Sequence, residues 1–262
     1  MKEGFLSSKG YNVHHVAWGE EGPRVLIIHS MGMDGHSMDK LAENLKDGYM
    51  VLSLTILDHG DSDPPKGPMS LPDHAEVMRG CYTQLGFTPN VLIGHSVGGM
   101  MGMVLTAEYP EEFKGLVLVD IAPFESTGRS SRSDPPESFR DEAEALKWLR
   151  ERYPLFTDYY YENRLRYAFK REEGVLKLKP RGDKVHGGLV TDLWPYVERI
   201  ETSTLLLKGE QSDLVTTDTW ERMEETMPDL EVVEVKNTGH MIPQDVPEEF
   251  ERLVRGFLEK VY

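Results

Sequence analysis

Apolar positions along this chain fall into short runs separated by amphipathic stretches, and the two periods alternate. "YNVHHVAWG" alternates residue by residue and predicts a half-exposed strand, whereas "RVLIIHS" and "MVLSLTI" are continuous runs that predict buried strands. "NVLIGHS", "GLVLVDIAP", "STLLLKG" and "LEVVEVK" complete the series. Residues 72–86, 98–109, 217–227 and 247–260 carry helical periodicity, and a shorter helix is expected at about 37–46. Pro247 followed by Glu248 and Glu249 suits the first turn of the last helix, where a missing N–H costs nothing and negative charge is favoured. Strands alternating with helices predict a mostly parallel sheet covered on both faces, an α/β fold.

The alternation breaks between about Pro123 and Trp194. "ESTGRSSRSDPPES" reads as a loop, "FRDEAEALKWLRERY" as a helix, and a segment dense in Tyr and Arg follows. Residues 122–196 are expected to form an inserted cap, with 1–121 and 197–262 forming the core. Charge separates the two. Residues 122–196 carry 14 Lys and Arg against 13 Asp and Glu, which leaves 15 and 32 for the remainder of a chain with 29 and 45. A near-neutral, arginine-bearing cap is expected over an acidic core.

The formal charge of −16 disfavours nucleic acid or an anionic membrane as partner, since both require basic patches. "MKEGFLSSKGYNVHH" holds no apolar core of signal-peptide length, and no run approaches a membrane span. Cys81 is the only cysteine, so no intramolecular disulfide or thiolate metal cluster can form. These readings predict a cytoplasmic protein.

The chemistry concentrates in Gly94-His95-Ser96-Val97-Gly98. The pattern G-x-S-x-G gains meaning from its context, a strand before it and a helix after it. A sharp strand-to-helix turn exposes the serine, and glycines two residues either side let neighbouring backbone pass without a Cβ clash. The helix start offers the Val97 N–H to a developing oxyanion. Serine needs a base. Of nine histidines, His240 in "VKNTGHMIPQDVPEEF" follows the last predicted strand and reaches the carboxyl edge of the sheet, where open α/β sheets place their sites. His95 is expected to point into the core, and His29, His59, His74 and His186 to serve packing or surface.

A carboxylate must then orient the histidine. Asp213, in "TLLLKGEQSDLV", follows the penultimate strand and gives the chain order Ser96, Asp213, His240. Asp120, at the end of "LVLVD", also reaches that edge and is the competitor, expected to be structural. The loop after "RVLIIHS" is expected to supply the second oxyanion donor, with Met31 N–H as the candidate. No H-E-x-x-H or similar cluster is present, and no metal or cofactor is expected.

With these pieces in place, the chain resembles the α/β-hydrolase superfamily along essentially its full length. The resemblance rests on "IHSMG", "DHGDSD", "IGHSVGG", "LVLVDIAP", "KGEQSDLV" and "NTGHMIPQDVPEEF", in the family's order and spacing. It implies an eight-stranded, mostly parallel sheet flanked by helices, with a mainly helical cap inserted after the sixth strand. The chain is similar to small cofactor-free serine esterases, and "HSMGMDGHSMDKL" is similar to enol-lactone hydrolases. It departs at Ser30, where the family usually has glycine, and at Thr55, Leu57 and Asp58, which replace Asp, Arg and Gly of D-x-R-G-H-G-x-S. Ser96 sets it apart from dehalogenases and epoxide hydrolases, which use aspartate there.

The expected function is hydrolysis of a small or medium carboxylic ester or lactone through an acyl-enzyme on Ser96. The alternatives are carbon–carbon bond hydrolysis of a diketone-like ring-cleavage product, or ligand sensing on a hydrolase scaffold. Trp148, Phe156, Tyr159, Tyr160, Tyr161 and Trp194 are expected mostly to pack the cap onto the core. Arg164 and Arg166 could meet a substrate carboxylate or simply be solvated.

Overall fold

In the computed structural model, which describes residues 1–123, 134–182 and 192–262, eight strands form one sheet. In chain order they are β1 (Lys2–Ser8), β2 (Tyr11–Trp18), β3 (Arg24–Ile28), β4 (Met50–Leu54), β5 (Asn90–His95) and β6 (Phe113–Val119). A separate two-stranded hairpin, β7 (Phe169–Glu172) and β8 (Val175–Leu178), precedes β9 (Thr204–Gly209) and β10 (Leu230–Val235). The sheet order is β1-β2-β4-β3-β5-β6-β9-β10, and β2 alone runs against the rest.

Helices are α1 (Asp39–Leu45), α2 (Leu71–Gln84), α3 (Val97–Glu108), α4 (Glu142–Arg152), α5 (Asp158–Tyr167), α6 (Trp194–Val197), α7 (Thr217–Thr226), α8 (Ile242–Asp245) and α9 (Pro247–Val261). Successive side chains of a strand point to opposite faces. Leu92 of β5 therefore joins a core with α2, α3, α6 and α7, while Val91 and Ile93 join a second core with α1 and α9. Phe250, Val254, Phe257 and Leu258 form the buried stripe of α9 at spacings of four, three and one. Ser70 caps α2 reciprocally with Asp73, which satisfies two of the backbone donors exposed at a helix start. No described helix is long and apolar enough to cross a membrane.

The β1 strand went unpredicted from the pattern. Its "KEGFLSS" is largely exposed, as suits an edge strand, and forms only by pairing along β2. Between β6 and β9 lie α4, α5 and the β7–β8 hairpin, whose Tyr153, Phe156, Tyr160 and Tyr161 cluster with Met33 and Met241 of the core. The hairpin turns on Glu173 and Gly174, both at positive φ, as a two-residue type I′ turn demands. Most of the loop expected over 125–138, together with His186, lies outside the described residues.

Candidate active site

Ser96 caps α3 with φ 53° and ψ −118°, a left-handed backbone that a non-glycine residue adopts at a cost of about 1–3 kcal/mol. The surroundings hold it there. Its N–H donates to the Val119 carbonyl at 3.0 Å, tying the turn to the end of β6. A Cβ on Gly98 would stand 2.1 Å from the Ile28 carbonyl oxygen, and one on Gly94 would stand 2.5 Å from that of Gly98. Both glycines are therefore required by close backbone approach, and Gly98 draws the first turn of α3 against the end of β3. Val97, first residue of α3, has an N–H with no acceptor inside the helix.

His240 lies in the loop after β10, at the same edge of the sheet. His95 Nε2–H donates to the His240 carbonyl at 2.8 Å, and the two rings stand 4.9 Å apart. The residue before Ser96 thus grips the backbone of the loop that carries the histidine. Burial, with the nearby His240 second, pushes His95 down to about 3, so it is neutral and its Nε2 proton is fixed for this bond. Asp245 holds the same loop from the other side, accepting from the Thr238 hydroxyl at 2.8 Å and the Gly239 N–H at 3.2 Å.

The carboxylate that stands beside His240 is Asp120 and not the expected Asp213. His240 Nδ1 lies 2.7 Å from Asp120 Oδ2. Asp120 follows β6 in a left-handed conformation, φ 45°, that turns its side chain toward the loop after β9. There Oδ1 accepts the Gly209 N–H at 3.0 Å and Oδ2 accepts the Ser212 hydroxyl at 2.5 Å. The loop expected to supply the acid supplies Ser212 as a donor instead, and Asp213 beside it is exposed. Burial alone would raise the Asp120 carboxyl, but the His240 contact, then Ser212 and Gly209, hold it below the ordinary aspartate value. It is ionised at neutral pH and saturated with donors.

Met31 sits in the turn after β3, where Met33 N–H closes onto the Ser30 carbonyl at 3.1 Å and Gly32 takes φ 77°. Buried side chains fix this loop. His29 donates from Nδ1 to the Ser30 carbonyl at 2.8 Å and accepts the Ile56 N–H at Nε2, 2.9 Å away. Thr55 Oγ1 accepts the Gly35 N–H at 3.0 Å, and Asp58 stands at φ 59°, a conformation that aspartate tolerates better than most residues. Thr55 and Asp58, two of the three departures in the "TILDHGDS" loop, thus have a structural use.

Arg164 of α5 is neither solvated nor turned to an open pocket. It is buried, with Nη1 2.7 Å from Asp34 Oδ2 and Nη2 donating to the Gly32 carbonyl at 3.3 Å, so an inserted helix braces the Met31 loop. Burial would raise the Asp34 carboxyl, but Arg164 and then His36 pull it down to about 2. Arg166 is exposed beside the Tyr167 ring. Tyr159 is exposed, whereas Phe156, Tyr160 and Tyr161 are buried and Trp148 packs partly buried against them. Neither the bracing by His95 and Arg164 nor the donor role of Ser212 was found from sequence, because each spans elements far apart in the chain.

Comparison with known proteins bears on the fold. Residues 23–183 match the family model described as alpha/beta hydrolase fold. The chain is similar to 2-(acetamidomethylene)succinate hydrolase of Mesorhizobium japonicum, at 24% identity over 91% of this chain and 88% of that protein. It is also similar to the sn-1-specific diacylglycerol lipase ABHD11 of Mus musculus, at 26% identity over 90% and 81% of the two chains. Among solved structures, E-2-(acetamidomethylene)succinate hydrolase superposes with a TM-score of 0.88 at 22% identity, covering 98% and 99% of the two chains.

Proposed function

The chain belongs to the alpha/beta-hydrolase fold family, and we propose that it is a serine hydrolase cleaving a small or medium carboxylic ester or lactone. The observation that carries this reading is the His240–Asp120 contact of 2.7 Å at the sheet edge that presents Ser96 on a left-handed turn. Esterases and lipases among the similar proteins support the same reaction class.

Ser96 Oγ attacks the substrate carbonyl carbon while His240 Nε2 takes its proton. The resulting oxyanion accepts the N–H groups of Val97 and Met31. Asp120 keeps the Nδ1 proton of His240 and stabilises the imidazolium. As the tetrahedral adduct collapses, His240 returns the proton to the departing alcohol oxygen, leaving an ester on Ser96; in a lactone that alcohol stays tethered to the acyl group. His240 then deprotonates water, which attacks the acyl carbon, and Ser96 leaves with the proton. Residues 122–196 form the cap over this edge in the same reading, with the aromatic cluster beneath α4 and α5 limiting the acyl or alcohol group.

Steady-state turnover of short p-nitrophenyl esters, with phosphonate labelling of the serine, tests this. Wild-type protein is expected to turn over repeatedly and take up one phosphonate per chain. Ser96→Ala is expected to lose about 10⁴-fold or more in kcat/KM with its thermal unfolding unchanged. Multiple turnovers by a folded Ser96→Ala variant overturn the reading, and a single slow acylation of the wild type favours a ligand sensor.

A further inference from the structure

Two buried histidines near the N-terminus have no part in the ester chemistry. His14 of β2 and His36 of the β3–α1 loop are each 3% exposed, and both point their Nε2 atoms at one carboxylate, that of Glu3 on β1. His14 Nε2 lies 2.9 Å from Glu3 Oε1 and His36 Nε2 lies 3.6 Å from the same atom. Beyond hydrogen-bond distance, the His36 Nε2 is buried and has no partner. Such an atom normally costs about 1–3 kcal/mol and calls for an explanation.

The rest of each ring is already arranged as a ligand is. His36 Nδ1 lies 3.0 Å from Asp39 Oδ2, and Asp39 in turn accepts from the Asn163 amide at 3.1 Å. An Nδ1–H bound to a carboxylate leaves the Nε2 lone pair facing outward, the second-shell pattern of metal-bound histidine. His14 Nδ1 lies 2.9 Å from Thr55 Oγ1, whose two lone pairs can accept both this N–H and that of Gly35. Tyr167 stacks on the His36 ring at 3.5 Å between centroids and 5° between planes. Neither ring is free to turn away.

The spacing also fits. One donor atom each from Glu3, His14 and His36 lies within 4.8 Å of the others. A tetrahedral ion with bonds of about 2.0–2.1 Å sets its donors roughly 3.4 Å apart. The His36–Glu3 pair already stands near that value. The His14–Glu3 pair must open by about half an ångström, and Glu3, on the exposed edge strand, is the member able to move. Two imidazoles and a carboxylate form a borderline donor set suited to Zn²⁺ and unlike the all-oxygen shells of calcium and magnesium. Solvent reaches the group on the Glu3 side and can supply a fourth ligand.

We propose that Glu3, His14 and His36 form a divalent transition-metal site, suited to Zn²⁺, that staples the N-terminal hairpin to the β3–α1 loop. It is distinct from the Ser96 edge: three strand spacings, about 14 Å, separate β2 from β5. Its ligands touch the loop that carries Met31 and, through Tyr167 and Asn163, helix α5. The bound ion stabilises that junction and takes no part in acyl transfer.

Tag-free full-length protein, stripped with EDTA and dialysed, tests the site by calorimetric titration with Zn²⁺ and by thermal unfolding. Wild type is expected to bind one Zn²⁺ per chain and to gain roughly 5 °C or more in Tm at a hundredfold excess over Kd. Glu3→Gln and His36→Gln are each expected to lose at least about tenfold in zinc affinity. Glu3→Gln, an exposed change that leaves both rings in place, should keep its metal-free esterase activity and its metal-free Tm. Absence of saturable binding to wild type overturns the proposal, as does equal binding by wild type and Glu3→Gln. If His36→Gln fails to fold, Glu3→Gln alone decides. Loss of ester hydrolysis in Ser96→Ala leaves the zinc result unaffected, so the two readings fail independently.

Discussion

A carboxylate that orients an imidazolium has to stay ionised while buried, which requires donors on both oxygens. Asp120 has them in the Gly209 N–H, the Ser212 hydroxyl and His240 Nδ1, whereas Asp213 is exposed. Asp120→Asn is therefore expected to lower kcat/KM for p-nitrophenyl esters by about 10³–10⁴-fold, because the amide favours the wrong tautomer of His240. Asp213→Asn should stay within about twofold of wild type, as surface substitutions usually do. The reverse ranking would return the acid to the β9 loop. The strand pattern alone places both aspartates at the same edge of the sheet. What separates them is the left-handed backbone at Asp120, whose N–H donates to the Leu207 carbonyl of β9 at 2.7 Å, a partner far away in the chain.

At the scale of elements, α5 reaches across to the loop after β3 through one buried ion pair. Removing Arg164 would strand the Asp34 carboxylate without its cation, and a broken buried pair costs about 3–5 kcal/mol. Arg164→Met is thus expected to lose about that much in urea unfolding. Arg164→Met with Asp34→Asn should recover a substantial part, since no bare charge then remains buried. If the single and double variants are equally unstable, the loss comes from the arginine's packing and not from the stranded charge. The strands from β2 to β6, with β9 and β10, were legible because a buried strand writes its burial as a run of apolar residues. The β1 strand was not, since an edge strand of exposed side chains is defined by its partner. Helix α5 was hidden because Tyr and Arg dominate it, while the β7–β8 hairpin did leave a signal in the Glu173-Gly174 turn. The Glu3, His14 and His36 group joins residues from three elements, and nothing in their spacing along the chain announces it.

The molecule as a whole stores neutral histidines in its interior. Burial pushes His29 to about 3 and His95 to about 3, with His59 and His240 respectively as the next cause, and it pushes His59 to about 4. An unfolded histidine titrates near 6.5, so between that value and the folded ones the unfolded chain binds more protons. The stabilisation from these groups is complete above about pH 6.5 and is lost as the pH falls toward 4 and 3. Fully expressed, each represents about 3–5 kcal/mol, a sizeable share of the 5–15 kcal/mol of a typical domain. Acid unfolding followed by tryptophan fluorescence should therefore begin near pH 6 and reach its midpoint above pH 4, before Asp34 with its value of about 2 is protonated. Stability that stays flat from pH 7 to pH 4.5 would contradict this. A last consequence lies at the base of the inserted stretch. Leu193 N–H meets the Pro123 carbonyl at 2.7 Å, so the two stems are latched just beyond Asp120. With the exit and return of the chain closed upon each other, changes in the length of the segment between them need not pull on β6 or β9. That makes the latch the natural junction for chimeras, provided the graft keeps a cation on Asp34 and so the brace on the Met31 loop.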